Sequence, residues 1–167
     1  MGDVERTRRA DGGAWERGRG AMGVTYRERD KGLHRDGALK VIDGHGETEA
    51  AQTVRERVLR EARAAAALRH QNVAGVFQFG ATDRCYYAME LVEGETLEEL
   101  VRREGPLSVG AGLALAVQVA RALVAAADHQ LIHRDLKPAN IMLVPNGDST
   151  EMTVKVIDFG LAKITAG

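Results

Sequence analysis

Three consecutive features between Val109 and Gly160 constrain this chain more than anything else in it. A long alanine-rich stretch, VGAGLALAVQVARALVAAA (109–127), is followed by the polar octet HRDLKPAN (133–140). Two short β-branched runs, 141–144 and 153–157, then flank the turn PNGDSTE, and the second runs directly into Asp158-Phe159-Gly160. The pattern predicts a helix, a loop dense in acid, cation and amide groups, and a hairpin that delivers one more acid at its exit. The apolar stretch is long enough to cross a membrane. Its composition argues otherwise: it is richer in alanine than in leucine and carries Gln118 and Arg121, the arginine costing roughly 2.5–3.5 kcal/mol at a bilayer centre. The expectation is a helix packed in a soluble domain, with no membrane segment in the chain.

Upstream, residues 1–14 are charged and glycine-bearing, and are expected to be disordered. The runs Gly23–Asp30 and Gly37–Ile42, joined by DKGLHRDG, read as a hairpin, and so do Val73–Phe79 and Cys85–Val92 around GATDR. Between the two hairpins, Val54, Val58, Leu59, Ala62, Ala65 and Ala66 recur at helical spacing within Glu49–Leu68. After Glu93-Gly94, Thr96 and Glu99 offer a capping box to a short helix that stops at Gly105-Pro106. The fold class is therefore α+β: a small antiparallel sheet with one helix, then a helical region.

Composition narrows the partners. With 23 basic and 24 acidic residues the formal net charge is -1, so the basic excess that marks nucleic-acid binding is absent and no nucleic acid is expected. The single cysteine, Cys85, has no second thiol in the chain, and no secretory leader opens the sequence. Both suit a cytoplasmic setting.

The octet holds what phosphoryl transfer to a hydroxyl requires: a carboxylate to accept the hydroxyl proton, a cation for phosphate charge, and an acceptor oxygen for a metal ion. Asp135 is the candidate base, Lys137 the cation over the transferred phosphate, and Asn140 a metal ligand; Asp158 supplies a second ligand. Singly, each of these is more often an ordinary surface or structural residue. The eight-residue run, placed between a helix and a hairpin that ends in DFG, is what sets it apart.

GRGAMGVTY, RDGALKVI, LREARAAAALRHQNV, YYAMELVEGETLEEL, LIHRDLKPANIML and VKVIDFGLAK together resemble the eukaryotic-like serine/threonine protein kinases, especially their bacterial branch, from Gly18 to the end of the chain. The resemblance implies a bilobal fold, with a disordered segment over 1–14, a small lobe and hinge over 15–92, and the first part of a large lobe over 93–167. It implies ATP and Mg²⁺ as cofactors and a protein Ser/Thr hydroxyl as acceptor, Lys137 after HRDL pointing to the Ser/Thr class. Gly18, Gly20 and Gly23 would then form the hairpin over the phosphates. Lys40 would bind the α- and β-phosphates and Glu61 would pair with it. Ala38, the gatekeeper Met89, the hinge from Glu90 to Val92, and Met142 would surround the adenine. Phe159 would wedge beneath the small-lobe helix.

The chain departs from that pattern in places. Arg17 and Thr25 stand where apolar residues usually pack on adenine, Gly37 replaces a valine, the first strand AWER is poor in strand formers, and Ala65 is smaller than the usual leucine above Phe159. These changes predict a thin adenine wall and a thin apolar column between the lobes. Only LAKITAG follows Gly160, without an activation segment, APE motif or later helices, so a fragment or truncated gene product is expected, with one face of its alanine-rich helix open. A catalytically inactive module that binds nucleotide or a partner is the alternative function.

Overall fold

The computed structural model describes residues 15–20, 23–30, 35–42, 62–81, 85–147 and 151–159. The expected tail at 1–14, most of the 49–68 helix including Glu61, and LAKITAG lie outside the described residues. Strands β1 (Trp15–Gly20), β2 (Gly23–Asp30), β3 (Arg35–Ile42), β4 (Val76–Ala81) and β5 (Cys85–Glu90) form one antiparallel sheet in the order β1-β2-β3-β5-β4. Despite its weak strand formers, β1 runs through Gly18 and Gly20, because pairing with β2 outweighs local propensity. The register slips between Glu16 and Gly18, leaving Arg17 as the extra residue of a bulge.

Helix α1 is described over residues 62–67. The chain after it departs from the expected strand: β4 begins at Val76, whereas Val73 forms a parallel bridge with Val156. Val156 N–H donates to Asn72 O at 2.8 Å and Ala74 N–H to Val156 O at 3.0 Å. Residues 72–74 therefore stitch the first sheet to a second one, made of β6 (Glu95–Thr96), β7 (Ile141–Pro145) and β8 (Met152–Val156). Helix α2 (Leu97–Glu104) starts on the expected capping box, with Glu99 N–H donating to Thr96 Oγ1 at 3.1 Å and Thr96 N–H to Glu99 Oε2 at 2.7 Å.

Helix α3 (Val109–Asp128) begins at Ser108, whose hydroxyl accepts from Ala111 N–H, and lies on β8. Gln118 secures it there. Its Oε1 accepts from Val154 N–H at 2.9 Å and from Asn72 Nδ2 at 3.0 Å, while its Nε2 donates to Met152 O at 2.9 Å. The amide that argued against a membrane span thus ties helix, strand and the 72–74 segment together. Among the described residues α3 is long and apolar enough to cross a membrane, and only one of its sides is packed: Ala122 and Ala126 are buried, but Val109, Leu113, Val117 and Val124 are 80%, 62%, 49% and 63% exposed. The expectation of an enclosed helix holds for the β8 side, and the open apolar face matches the reading of the sequence.

A continuous core links the two sheets through Ala62, Leu68, Tyr87, Leu100, Val154, Val156 and Phe159. Gly94, just after the hinge, passes against β7: a Cβ placed there would lie 2.2 Å from Leu143 O, a backbone atom that can move only with its strand. Gly94→Ala is therefore expected to destabilise the chain by about 1–3 kcal/mol, read as a lowered urea midpoint at unchanged slope. A midpoint equal to that of the unsubstituted chain would mean the hinge yields freely.

Candidate active site

The site is built from two clusters, and Ile157 joins them. The first sits on the large sheet. Lys40, on β3, is buried, and its Nζ meets Asp158 Oδ2 at 2.6 Å. Tyr87, on β5, is 1% exposed and donates its hydroxyl to Asp158 Oδ1 at 2.9 Å. Burial, then the charge of Asp158 and the bond to it, push the Tyr87 phenol well above its ordinary pKa of 10.0, so it stays protonated and donates a hydrogen bond at neutral pH. Asp158 itself has φ 64°, in the left-handed region that aspartate enters more readily than most residues.

The second cluster is the loop before β7. Asp135 Oδ2 meets Lys137 Nζ at 2.8 Å. Asn140 is buried in the turn Pro138–Asn140, and its Nδ2 donates to Asp135 O at 2.8 Å and to Asp135 Oδ2 at 3.3 Å. With that nitrogen committed to the loop, the side-chain oxygen of Asn140 is the atom left to ligate a cation. His133, also buried, bonds Ile157 O through Nε2 at 2.9 Å and accepts from Asp135 N–H at Nδ1. Its ring packs edge-on against Phe159, with centroids 4.7 Å apart. Ile157 N–H in turn donates to Asn140 O at 3.0 Å. One residue, immediately before Asp158, thus receives the loop at both its backbone groups and sets the two clusters side by side.

Lys137 governs the electrostatics of Asp135. Its hydrogen bond is the largest influence holding the Asp135 carboxyl below its ordinary 3.8; its charge and the Asn140 amide act in the same direction, against some desolvation. The same bond raises Lys137 above 10.5. Asp135 is therefore ionised at neutral pH, and whatever it contributes to stability is present above its ordinary range and lost as pH falls through its depressed folded value. Lys137→Met is expected to move the Asp135 titration upward toward 3.8, as read by carbon NMR of the carboxyl; an unmoved titration would deny that Lys137 sets it.

The remaining predicted residues fall as follows. Gly18, Gly20 and Gly23 lie on the β1–β2 hairpin, with Gly20 opposite Gly23. Ala38 is the cross-strand partner of Met89, and both are buried in the main core. Val92 and Met142 are buried together with Ala74 in a smaller cluster. Glu90 is engaged by Lys155 Nζ, 2.6 Å from Oε1 and 2.8 Å from Oε2, so its carboxylate faces a β8 cation. Glu61 is outside the described residues. Ala65, Leu68, Tyr87 and Phe159 share the main core, and they line a small cavity of about 10 Å³ at the column where Ala65 stands. Sequence reading missed Tyr87, Lys155 and the Asn72–Gln118 pair.

Among the described residues no three His, Cys, Asp or Glu side chains gather into a metal cage. One carboxylate, Asp158, and one amide oxygen, Asn140, suit a hard divalent ion that takes its other oxygens from phosphate and water.

Residues 16–167 match the family model described as protein kinase domain. The chain is 41% identical over 150 residues to the serine/threonine-protein kinase pkn3 of Myxococcus xanthus, covering 89% of this chain and 27% of that protein. It is 36% identical over 154 residues to the serine/threonine-protein kinase PknB of Mycolicibacterium smegmatis, covering 89% of this chain and 24% of that one. The chain thus spans about a quarter of the length of these curated relatives. Among solved structures, the PknI kinase domain of Mycobacterium tuberculosis superposes with a TM-score of 0.71 at 31% identity, covering 88% of this chain and 58% of that one.

Proposed function

The chain belongs to the protein kinase family, and on that premise we propose that its site serves ATP-dependent phosphoryl transfer to serine or threonine hydroxyls of proteins, in the cytoplasm. The observation that carries this reading is the junction at Ile157, which puts the Lys40–Asp158 pair beside the Asp135–Lys137–Asn140 loop. In this assignment Lys40 binds the α- and β-phosphates, and Glu61 supports it. Ala38, Met89, the backbone from Glu90 to Val92, and Met142 surround the adenine, and the Gly18, Gly20 and Gly23 hairpin covers the phosphates. The division between lobes falls after Val92.

Asp135 orients the acceptor hydroxyl and takes its proton as the hydroxyl oxygen bonds to the γ-phosphorus. The bond from that phosphorus to the β–γ bridging oxygen breaks, and ADP leaves. Lys137, fully charged at neutral pH, neutralises the transferred group and must turn from Asp135 toward it to do so. Asp158 and Asn140 would hold Mg²⁺, which when bound supplies positive charge against the phosphate oxygens. The chain spans 58% of the PknI kinase domain, and the positioning of a protein substrate is assigned to the part of such a domain it does not span.

A titration of the chain with fluorescent ATP tests the site. Binding in millimolar Mg²⁺ is expected to be at least about tenfold tighter than in excess EDTA, because Asp158 and the phosphates repel one another without a cation between them. Equal binding in both buffers would remove Asp158 and Asn140 from the metal assignment.

A further inference from the structure

Tyr87 and Lys40 are direct cross-strand partners on β5 and β3, and cross-strand partners project to the same face of a sheet. Both side chains end on one carboxylate. Lys40 Nζ takes Asp158 Oδ2 at 2.6 Å and the Tyr87 hydroxyl takes Oδ1 at 2.9 Å. The two prongs differ in what else they can do. Lys40 has a second task in the phosphate-bound site and must share or release Asp158 to perform it. Tyr87 is 1% exposed and lines one small cavity with Asp158 and Phe159, so its ring is committed to the core. Its bond is the one that persists when Lys40 turns to phosphate.

The geometry points to Tyr87 as a positioning residue for the metal ligand: its hydroxyl fixes the Asp158 carboxylate from the core side and so sets the affinity of the site for its divalent ion. This rests on the Mg²⁺ and ATP reading above. Partners that orient a ligating carboxylate without touching the metal typically matter 10- to 100-fold for its affinity. Asp158 has particular need of one, since its backbone sits at φ 64° next to the turn into Phe159. The tyrosine ring is also part of the core cluster with Ala65, Leu68 and Phe159, and a phenylalanine would keep that ring in the core. The hydroxyl is thus separable from the packing.

The experiment is a Mg²⁺ titration of fluorescent-ATP binding by the whole chain, comparing wild type with Tyr87→Phe, Asp158→Asn and the double variant. Tyr87→Phe is expected to raise the Mg²⁺ midpoint about tenfold while leaving binding in EDTA within twofold of wild type. In the Asp158→Asn background the same change is expected to have no effect on the midpoint, whereas a packing defect would persist there. Should Tyr87→Phe prove poorly folded, Tyr87→Met, which keeps apolar volume without a donor, takes its place with the same expected rise. A midpoint within twofold of wild type for a folded variant, or an equal loss in EDTA, overturns the assignment to Tyr87 and leaves the nucleotide site standing. Wild-type chain that binds no ATP at any Mg²⁺ concentration overturns both.

Discussion

Lys40→Met is expected to weaken Mg·ATP binding by roughly 10- to 150-fold, the worth of a charge-assisted hydrogen bond to phosphate. The ammonium is buried and already aimed at an anion, 2.6 Å from Asp158 Oδ2, so it is desolvated before the phosphates arrive. Methionine keeps most of the volume and none of the charge. The substitution also strands Asp158 with Tyr87 as its remaining partner there, and a mostly buried carboxylate that loses its cation costs several kcal/mol of stability. Binding must therefore be measured well below the unfolding temperatures of both proteins. Affinity equal to that of wild type under those conditions would end the phosphate role of Lys40.

Local signals in the sequence located most of the elements. The strand Gly23–Asp30 and the helix that starts after Thr96 lie where expected, because a run of strand formers between turns and a reciprocal cap are decided within a few residues. Elements that exist only through tertiary pairing were not legible. The two-residue β6 has no pattern of its own and is a strand because Glu95 and Thr96 lie against β7. Val73 and Ala74 read as the start of β4 on composition, yet Val73 bridges Val156 of β8, held by Ala74 N–H and Asn72 O on either side. The face of α3 is a similar case: helical period predicts an apolar helix but not how much of it another element covers.

The candidate site divides the same way. Asp135, Lys137 and Asn140 form one hydrogen-bonded group within six residues, so a motif captured them together. Lys40 and Asp158 are 118 residues apart and were placed together by resemblance, not by any local rule. Tyr87 escaped notice because YYAME alternates like any half-buried strand. The alternation shows that Tyr87 shares a face with Met89, but what its hydroxyl meets, 71 residues away, depends on the fold. Which neighbours surround Ala65, Tyr87 and Phe159 among them, likewise depends on the fold.

The largest effect is expected at Asp135. Asp135→Asn should lower phosphoryl transfer by about 10²–10⁴ while Mg·ATP affinity stays within about threefold, since the phosphates are assigned to Lys40 and the metal to Asp158 and Asn140. Asparagine preserves the shape of the side chain and can still accept from Asn140 Nδ2, so the loop at 2.8 Å from that nitrogen to Asp135 O need not move. What is lost is the negative charge that orients the hydroxyl and receives its proton. The assay requires a protein in which this sequence is joined to the part of a kinase domain it does not cover, for instance the remainder of the PknI domain, of which it spans 58%. Proximity of the hydroxyl to phosphorus is worth ~7–11 kcal/mol of barrier, so the chimera tests the reaction with a whole kinase domain. A chimera that transfers phosphate to a protein at a rate changed less than tenfold by Asp135→Asn would remove Asp135 from the reaction. A chimera that binds Mg·ATP and yet transfers nothing, even with Asp135 intact, would place the fault in the phosphate-covering hairpin and adenine wall around Arg17, Thr25 and Gly37.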